Sequence, residues 1–148
     1  MIVREALLNE ANELSHIALT SKATWDYSEE FIRACKEDLT ITEEYVKNNY
    51  VYILEDEGVK IGFFAFLRKD EGTLDFLYLH PAYKGKGYGK VLWKGVVEKA
   101  AELGMKSFTI DSDPNAKGYY MKMGAKLIGE TPSTVFAGRV LPLLQYDV

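Results

Sequence analysis

The segment Tyr83-Lys84-Gly85-Lys86-Gly87-Tyr88-Gly89-Lys90 places three glycines at alternate positions among lysines. Bare backbone lets main-chain N–H groups approach an anion closely, and the lysines raise the local potential, so the segment is predicted to hold phosphate. Two familiar phosphate binders do not fit. A Walker-type loop ends in Gly-Lys-Ser/Thr so that the hydroxyl can hold magnesium, but Gly89-Lys90 is followed by Val91. The dinucleotide fingerprint needs G-x-G-x-x-G near the start of a repeating strand-helix pattern with an acid about 20 residues on, and the spacing here is G-x-G-x-G past the midpoint of the chain. That spacing argues against a nicotinamide-dependent reductase.

The flanking residues predict what positions this loop. Before it, Thr73 to Leu79 alternates as a half-buried strand does, with Asp75, Leu77 and Leu79 expected on one face and Leu74, Phe76 and Tyr78 on the other, and Pro81 ends the ladder. After it, Val91, Leu92, Gly95, Val96, Ala100 and Leu103 recur at helical spacing, with Gly104 as the stop. Strand, glycine turn and helix bring several amides to the positive end of a helix dipole, with Lys84, Lys86, Lys90 and Lys94 nearby. A second segment, Asp113 to Ala125, reads as a short helix capped by Asp113, with Pro114 at its first position and Gly124 closing it.

In this order the two segments resemble the signatures of the GNAT superfamily of acyl-CoA-dependent N-acetyltransferases. The family's pyrophosphate loop, Arg/Gln-x-x-Gly-x-Gly/Ala, maps onto Lys84, Gly87 and Gly89, with lysine in place of the usual arginine or glutamine. The second signature, an asparagine and an alanine followed by an aromatic-Tyr pair and a glycine, is similar to Asn115, Ala116, Tyr119, Tyr120 and Gly124, and Ala125 stands where phenylalanine is more frequent. The resemblance is firm from Ile61 to Gly129. Outside it, Ser21 to Tyr27 and Gly129 to Leu144 look like a bacterial subgroup whose acceptor its motifs do not name, and likeness of fold does not transfer a substrate.

The resemblance implies acetyl-CoA as cosubstrate, no metal, and direct transfer to an amine of a small molecule or peptide. It places the cofactor on Leu77, Tyr78, Leu79, Lys84, Gly85, Lys86, Gly87, Tyr88, Gly89, Lys90, Asn115 and Tyr120, with backbone N–H groups of 77–79 polarising the thioester carbonyl. Tyr120 would protonate the departing thiolate. Asp75 is the candidate base, because it lies at a position where many relatives carry Glu or Asp; the alternative is a solvated residue on the polar face of a strand. A degenerate domain that holds CoA without catalysis is the rival from another functional class.

Composition sets outer bounds. The chain has 148 residues, 47% hydrophobic and 27% charged, enough for one domain (1–148) with a core of its own. A net charge of −4 argues against nucleic acid as a partner, no apolar run has the length of a membrane span, and a cytoplasmic location is the default. The one cysteine, Cys35, lies four residues from both Phe31 and Leu39 and reads as core packing rather than a nucleophile. His16 and His80 lack nearby carboxylate spacing and read as structural or solvated, and a strand-end turn explains Asp111 as capping explains Asp113.

The remaining elements follow from period and punctuation. Strands are expected at Ile2–Ala6, Tyr50–Leu54, Val59–Leu67, Gly104–Ile110, Lys126–Glu130 and Val140–Asp147, with turns at 56–58 and 69–72. Helices are expected over Asn9–Lys22, from Ser28, and after a capping box at Thr40. That order matches the α/β (α+β) fold of the resembled family: a mixed, mostly antiparallel sheet of about seven strands, flanked by helices and splayed between the fourth and fifth. Trp25, Tyr27, Phe31, Tyr45 and Tyr50 form an aromatic-rich region that in this fold borders the acceptor groove. The fold also admits a homodimer, since its final strands often pair across an interface.

Overall fold

The computed structural model describes residues 1–69 and 72–148. The turn expected at 69–72 therefore lies partly outside the described residues. Seven strands, β1 (Ile2–Glu5), β2 (Tyr50–Asp56), β3 (Val59–Phe66), β4 (Thr73–Leu79), β5 (Ser107–Asp111), β6 (Lys126–Pro132) and β7 (Val140–Asp147), form one sheet in the order β1-β2-β3-β4-β5-β7-β6. Five helices flank it: α1 (Ala11–Lys22), α2 (Glu29–Cys35), α3 (Glu43–Asn48), α4 (Tyr88–Glu102) and α5 (Lys117–Lys122). All neighbouring strands are antiparallel except β4 and β5, which run parallel and pair only at Thr73–Thr109 and Leu74–Ile110. Beyond that second pair the two strands part. The expected mixed sheet and its opening between the fourth and fifth strands are both present.

Strand alternation sorts the core onto the two faces of the sheet. Leu54, Phe64, Phe66, Phe108 and Leu144 pack beneath Leu92, Trp93 and Val96 of α4 and Tyr120 of α5. Ile53, Phe63, Ala65 and Phe76 pack beneath Leu14, Ile17 and Ala18 of α1, Cys35 of α2 and Val46 of α3. Neighbours such as Phe63 and Phe64 thus serve opposite faces at full burial, each such side chain contributing about 1.5–3 kcal/mol. Cys35 belongs to this packing, as expected, and burial pushes its thiol pKa up.

Several local signals act where they were read. Ser28 caps α2 by accepting from Phe31 N–H at 3.1 Å. Gly104, at φ +80°, ends α4: its N–H reaches Ala101 O at 3.0 Å while Met105 N–H reaches Ala100 O at 2.9 Å, the double closure that a left-handed residue permits. Other boundaries move. A 3₁₀ turn over Leu8–Glu10 precedes α1, which starts at Ala11. The cap of α3 is Thr42, which accepts from Tyr45 N–H at 3.0 Å, whereas Thr40 turns back to donate to Lys36 O at 2.7 Å. The hydroxyl with a helix starting directly behind it wins over the one with capping-box spacing.

Two corrections concern the functional segments. Strict alternation along β4 fails at Asp75: Phe66 pairs with Leu74 and Ala65 with Phe76, leaving Asp75 as a bulge without a partner. Leu74 therefore packs on the α4 side with Leu77 and Leu79, while Phe76 and Tyr78 pack on the α1 side. The short helix after β5 begins at Lys117 rather than behind Asp113 and Pro114. Asp113 instead accepts from Asn115 N–H at 2.8 Å and closes a tight turn over 113–116, which must finish before α5 can start.

Candidate active site

The opening between β4 and β5 leads into a cleft of about 370 Å³. Its walls come from both faces of the sheet, which gives it two chemically distinct sides. On the α4 side stand Lys84, Gly85, Gly89, Leu92, Tyr119 and Tyr120; on the α1 side stand Lys22, Trp25, Asp75, Asp111 and Asp113.

The glycine loop forms the basic side. Gly85 and Gly87 have φ of +78° and +84°, a left-handed conformation that side-chain-bearing residues rarely adopt, and a Cβ at either position would meet nothing within 4 Å. Gly87 is the N-cap of α4, so the first-turn amides of that helix point out of the loop without intrahelical acceptors. Gly89 has another task. It lies within the first turn of α4, where an added Cβ would meet the Tyr119 ring at 3.3 Å, and its carbonyl accepts from the Tyr119 hydroxyl at 2.8 Å. The two sequence motifs thus touch directly. Lys84 lines the cleft with its ammonium 4.7 Å above the Trp25 ring. Lys86 and Lys90 are exposed beside the loop, and Tyr88 packs edge-on against Tyr83 at 5.8 Å.

Tyr120 enters the cleft from α5. Its ring packs 5.9 Å from Trp93 and the residue is 7% exposed, yet among the described residues its hydroxyl has no hydrogen-bond partner. Burial, reinforced by Tyr78, Tyr119 and Asp113, raises its pKa far above the ordinary phenol value, so the group stays protonated. Leu77, Tyr78 and Leu79 line the cleft along the edge of β4 that no longer has β5 as a partner. Asn115 is exposed at the rim, where its amide nitrogen donates to the Tyr27 hydroxyl at 3.0 Å.

The acidic side holds three carboxylates in different states. Asp75, carried outward by the β4 bulge, accepts from the Tyr45 hydroxyl at 2.5 Å, and the Tyr45 ring stands edge-on to Phe76 at 5.4 Å. Loss of surrounding water raises the Asp75 pKa, the Tyr45 bond opposes that, and Asp111 and Asp38 add to it. Asp111 follows the last β4–β5 pair on the opposite strand, and its pKa is also raised by burial. Asp113 differs because it is compensated. Burial acts to raise its pKa, but an ion pair with Lys22, the Asn115 N–H and the Tyr27 hydroxyl together lower it.

Sequence reading did not find this last group. Tyr27 donates to both oxygens of Asp113 at 2.9 and 2.8 Å, receives Arg139 at 3.2 Å, and stacks on Phe31 at 4.1 Å, which in turn stacks on Phe136 at 5.0 Å. Burial and the Asp113 charge push the Tyr27 pKa up to about 12. Tyr27 and Phe31 were legible as groove aromatics, but Lys22, Arg139 and Phe136 carry no local signal. Tyr50 faces away, beneath the Arg68 guanidinium at 4.9 Å.

Comparison with known proteins agrees with this geometry. A family model described as an acetyltransferase (GNAT) domain matches residues 10–139. The chain is 25% identical over 134 residues to a 5-NmdU N-acetyltransferase of Pseudomonas phage PaMx11, spanning 88% of this chain and 91% of that one. Among solved structures, a GCN5-related N-acetyltransferase from Rhodopseudomonas palustris superposes with a TM-score of 0.82 at 24% identity, covering 99% of this chain and 95% of that one. A PaiA N-acetyltransferase from Thermoplasma acidophilum, solved with coenzyme A, superposes with a TM-score of 0.77 at 18% identity over 99% and 98% of the two chains. These structural likenesses speak for the fold.

Proposed function

Because the chain belongs to the GNAT acetyltransferase family, we propose that it moves an acetyl group from acetyl-CoA to a primary amine of a small molecule or peptide by direct attack in a ternary complex. One observation carries this reading: the parted strands β4 and β5 open onto an anion-seeking helix terminus on one side and onto carboxylates on the other.

The residues fit the cofactor. Left-handed Gly85 and Gly87, with empty space where side chains would project, leave the amides of the loop and of the first turn of α4 accessible to a diphosphate, and Lys84, Lys86 and Lys90 add positive charge. The unpartnered edge of β4 near Leu77 to Leu79 offers main-chain groups to the pantetheine arm, and Asn115 offers its side-chain oxygen. Acetyl-CoA, when bound, supplies an acyl group activated as a thioester.

The chain's own groups manage the protons. An alkyl amine with a pKa near 10.4 is neutral in only about one molecule per thousand close to neutral pH, so a base is needed. Asp75 is that base, held by Tyr45 and made more basic than an ordinary carboxylate by its surroundings. Tyr120, buried and protonated with no other hydrogen-bond partner, gives its proton to the leaving sulfur. The Trp25, Tyr27 and Phe31 region borders the acceptor.

A calorimetric titration with CoA, paired with a thiol-release assay over a panel of amines, tests the reading. Binding with acceptor-dependent thiol release is expected. CoA binding without release for any acceptor would instead identify a non-catalytic CoA-binding module, and absence of CoA binding would overturn both.

A further inference from the structure

Asp75 and Asp111 occupy equivalent positions on the two strands that part. The parallel register runs Thr73–Thr109 and Leu74–Ile110 and stops, so Asp75 and Asp111 are the next residue on each side of the opening. They also share a face. Phe108 and Ile110 pack on the α4 side of the sheet, which directs Asp111 to the α1 side by alternation, and the bulge brings Asp75 to that side against Tyr45 of α3. Both line the cleft. Among the described residues neither has a cationic partner, whereas Asp113 close by is paired with Lys22.

Two carboxylates at the mouth of a partly dry cleft repel one another and lose hydration, and such an arrangement is relieved when cations bind. An independent feature shows that a ligand belongs in this space. The Tyr120 side chain lines the same cleft at 7% exposure with a hydroxyl that no described residue satisfies. One ammonium would neutralise one of the two acids. Neighbouring strands lie about 4.8 Å apart where they pair and diverge beyond, so the two charges are spaced for two cationic centres joined by a short alkyl chain.

Resting on the acetyltransferase reading of this cleft, we propose that the acceptor is a small dication, a diamine or polyamine, and that Asp111 holds its second ammonium while the reacting amine faces Asp75. An acceptor carrying a carboxylate near the amine is rejected, since its charge would meet the same pair of acids. Asp111 is thereby a specificity-determining residue, acting on which amine enters and not on the transfer itself.

Putrescine, n-butylamine and γ-aminobutyrate, matched in chain length and differing only in the far group, provide the test. Thiol release with acetyl-CoA should show kcat/KM for putrescine at least tenfold above that for n-butylamine, with γ-aminobutyrate slowest. Asp111→Asn should raise KM for putrescine about tenfold, leave n-butylamine within about twofold, and be partly rescued by Asp111→Glu. Equal use of putrescine and n-butylamine by the unmodified protein, or equal loss for both amines in Asp111→Asn, would overturn the proposal while leaving acetyl transfer standing. Calorimetric binding of putrescine, measured without acetyl-CoA, separates the two readings further. Asp111-dependent binding with no thiol release from any amine would sustain the dication site and sink acetyl transfer, and absence of putrescine binding would sink the dication site.

Discussion

The Tyr119 hydroxyl donates to the Gly89 carbonyl at 2.8 Å, joining α5 to the first turn of α4. The phosphate-seeking loop is therefore braced by the residue next to the phenol that faces the cleft. Tyr119→Phe removes this bond without changing ring packing, and should cost about 1 kcal/mol of stability. Urea unfolding measures that loss, and CoA affinity should fall several-fold with it as the helix terminus loosens.

Gly87 caps α4 at φ +84° in open space. Gly87→Asn should fold with a cost of about 1 kcal/mol for the left-handed backbone, because asparagine tolerates that region. Gly87→Asp carries the same strain and adds a negative charge at the helix terminus. CoA affinity by calorimetry should fall at least tenfold more in the aspartate variant than in the asparagine variant.

The Tyr120 hydroxyl has no protein partner to lose. Tyr120→Phe should accordingly keep its melting temperature and bind CoA within about twofold of the unmodified protein. Turnover should fall, by about ten- to a hundredfold, since a thiolate with a reference pKa near 8.5 leaves partly unaided. Steady-state kcat and KM, measured separately, check the split.

The pH–rate profile should report Asp75. A base must be ionised, and burial raises this carboxyl above its ordinary range, so kcat/KM should rise with pH through a midpoint above the usual carboxylate value. The Tyr45 bond favours the ionised form and works against that shift. Tyr45→Phe should therefore move the acid limb to still higher pH, by about half a unit to one unit. Asp75→Asn should remove the limb.

Glu10 anchors an ion-pair network away from the cleft. It meets Arg4 at 2.9 and 2.7 Å and Lys60 at 3.2 Å, accepts the Leu7 N–H at 2.8 Å, and is 6% exposed. The Arg4 bonds foremost, against the cost of burial, bring its pKa down from 4.5 to about 2. A depressed carboxylate contributes stability that is complete above its unfolded pKa, so the melting temperature should fall as pH drops from about 4.5 toward 2. Glu10→Gln should abolish that part of the pH dependence and cost about 3 kcal/mol, because Arg4 and Lys60 lose a buried partner.

The sequence by itself determined what nearest neighbours decide. Gly104 ends a helix because the closing turn needs a left-handed residue, and Ser28 caps one because its acceptor lies three residues on. The Lys84 to Lys90 loop was legible for the same reason: bare backbone followed by a helix start is an anion site whatever packs behind it. The two-period of β2 and β3 likewise assigned their side chains to opposite faces.

Tertiary structure decided the acidic side of the cleft. Asp75 turns toward Tyr45 only because the register of β3 against β4 slips between Ala65 and Phe66, a fact of pairing that β4 alone does not carry. Asp113, an ordinary helix cap by local rules, is claimed instead by Lys22 and Tyr27, more than eighty residues earlier, with Arg139 reaching Tyr27 from the other end of the chain. Local preferences are worth about 1 kcal/mol each, and buried charge pairs assembled by the fold outweigh them. Which carboxylates are neutralised, and which two remain to meet an amine, is set by contacts that exist only once the sheet has closed.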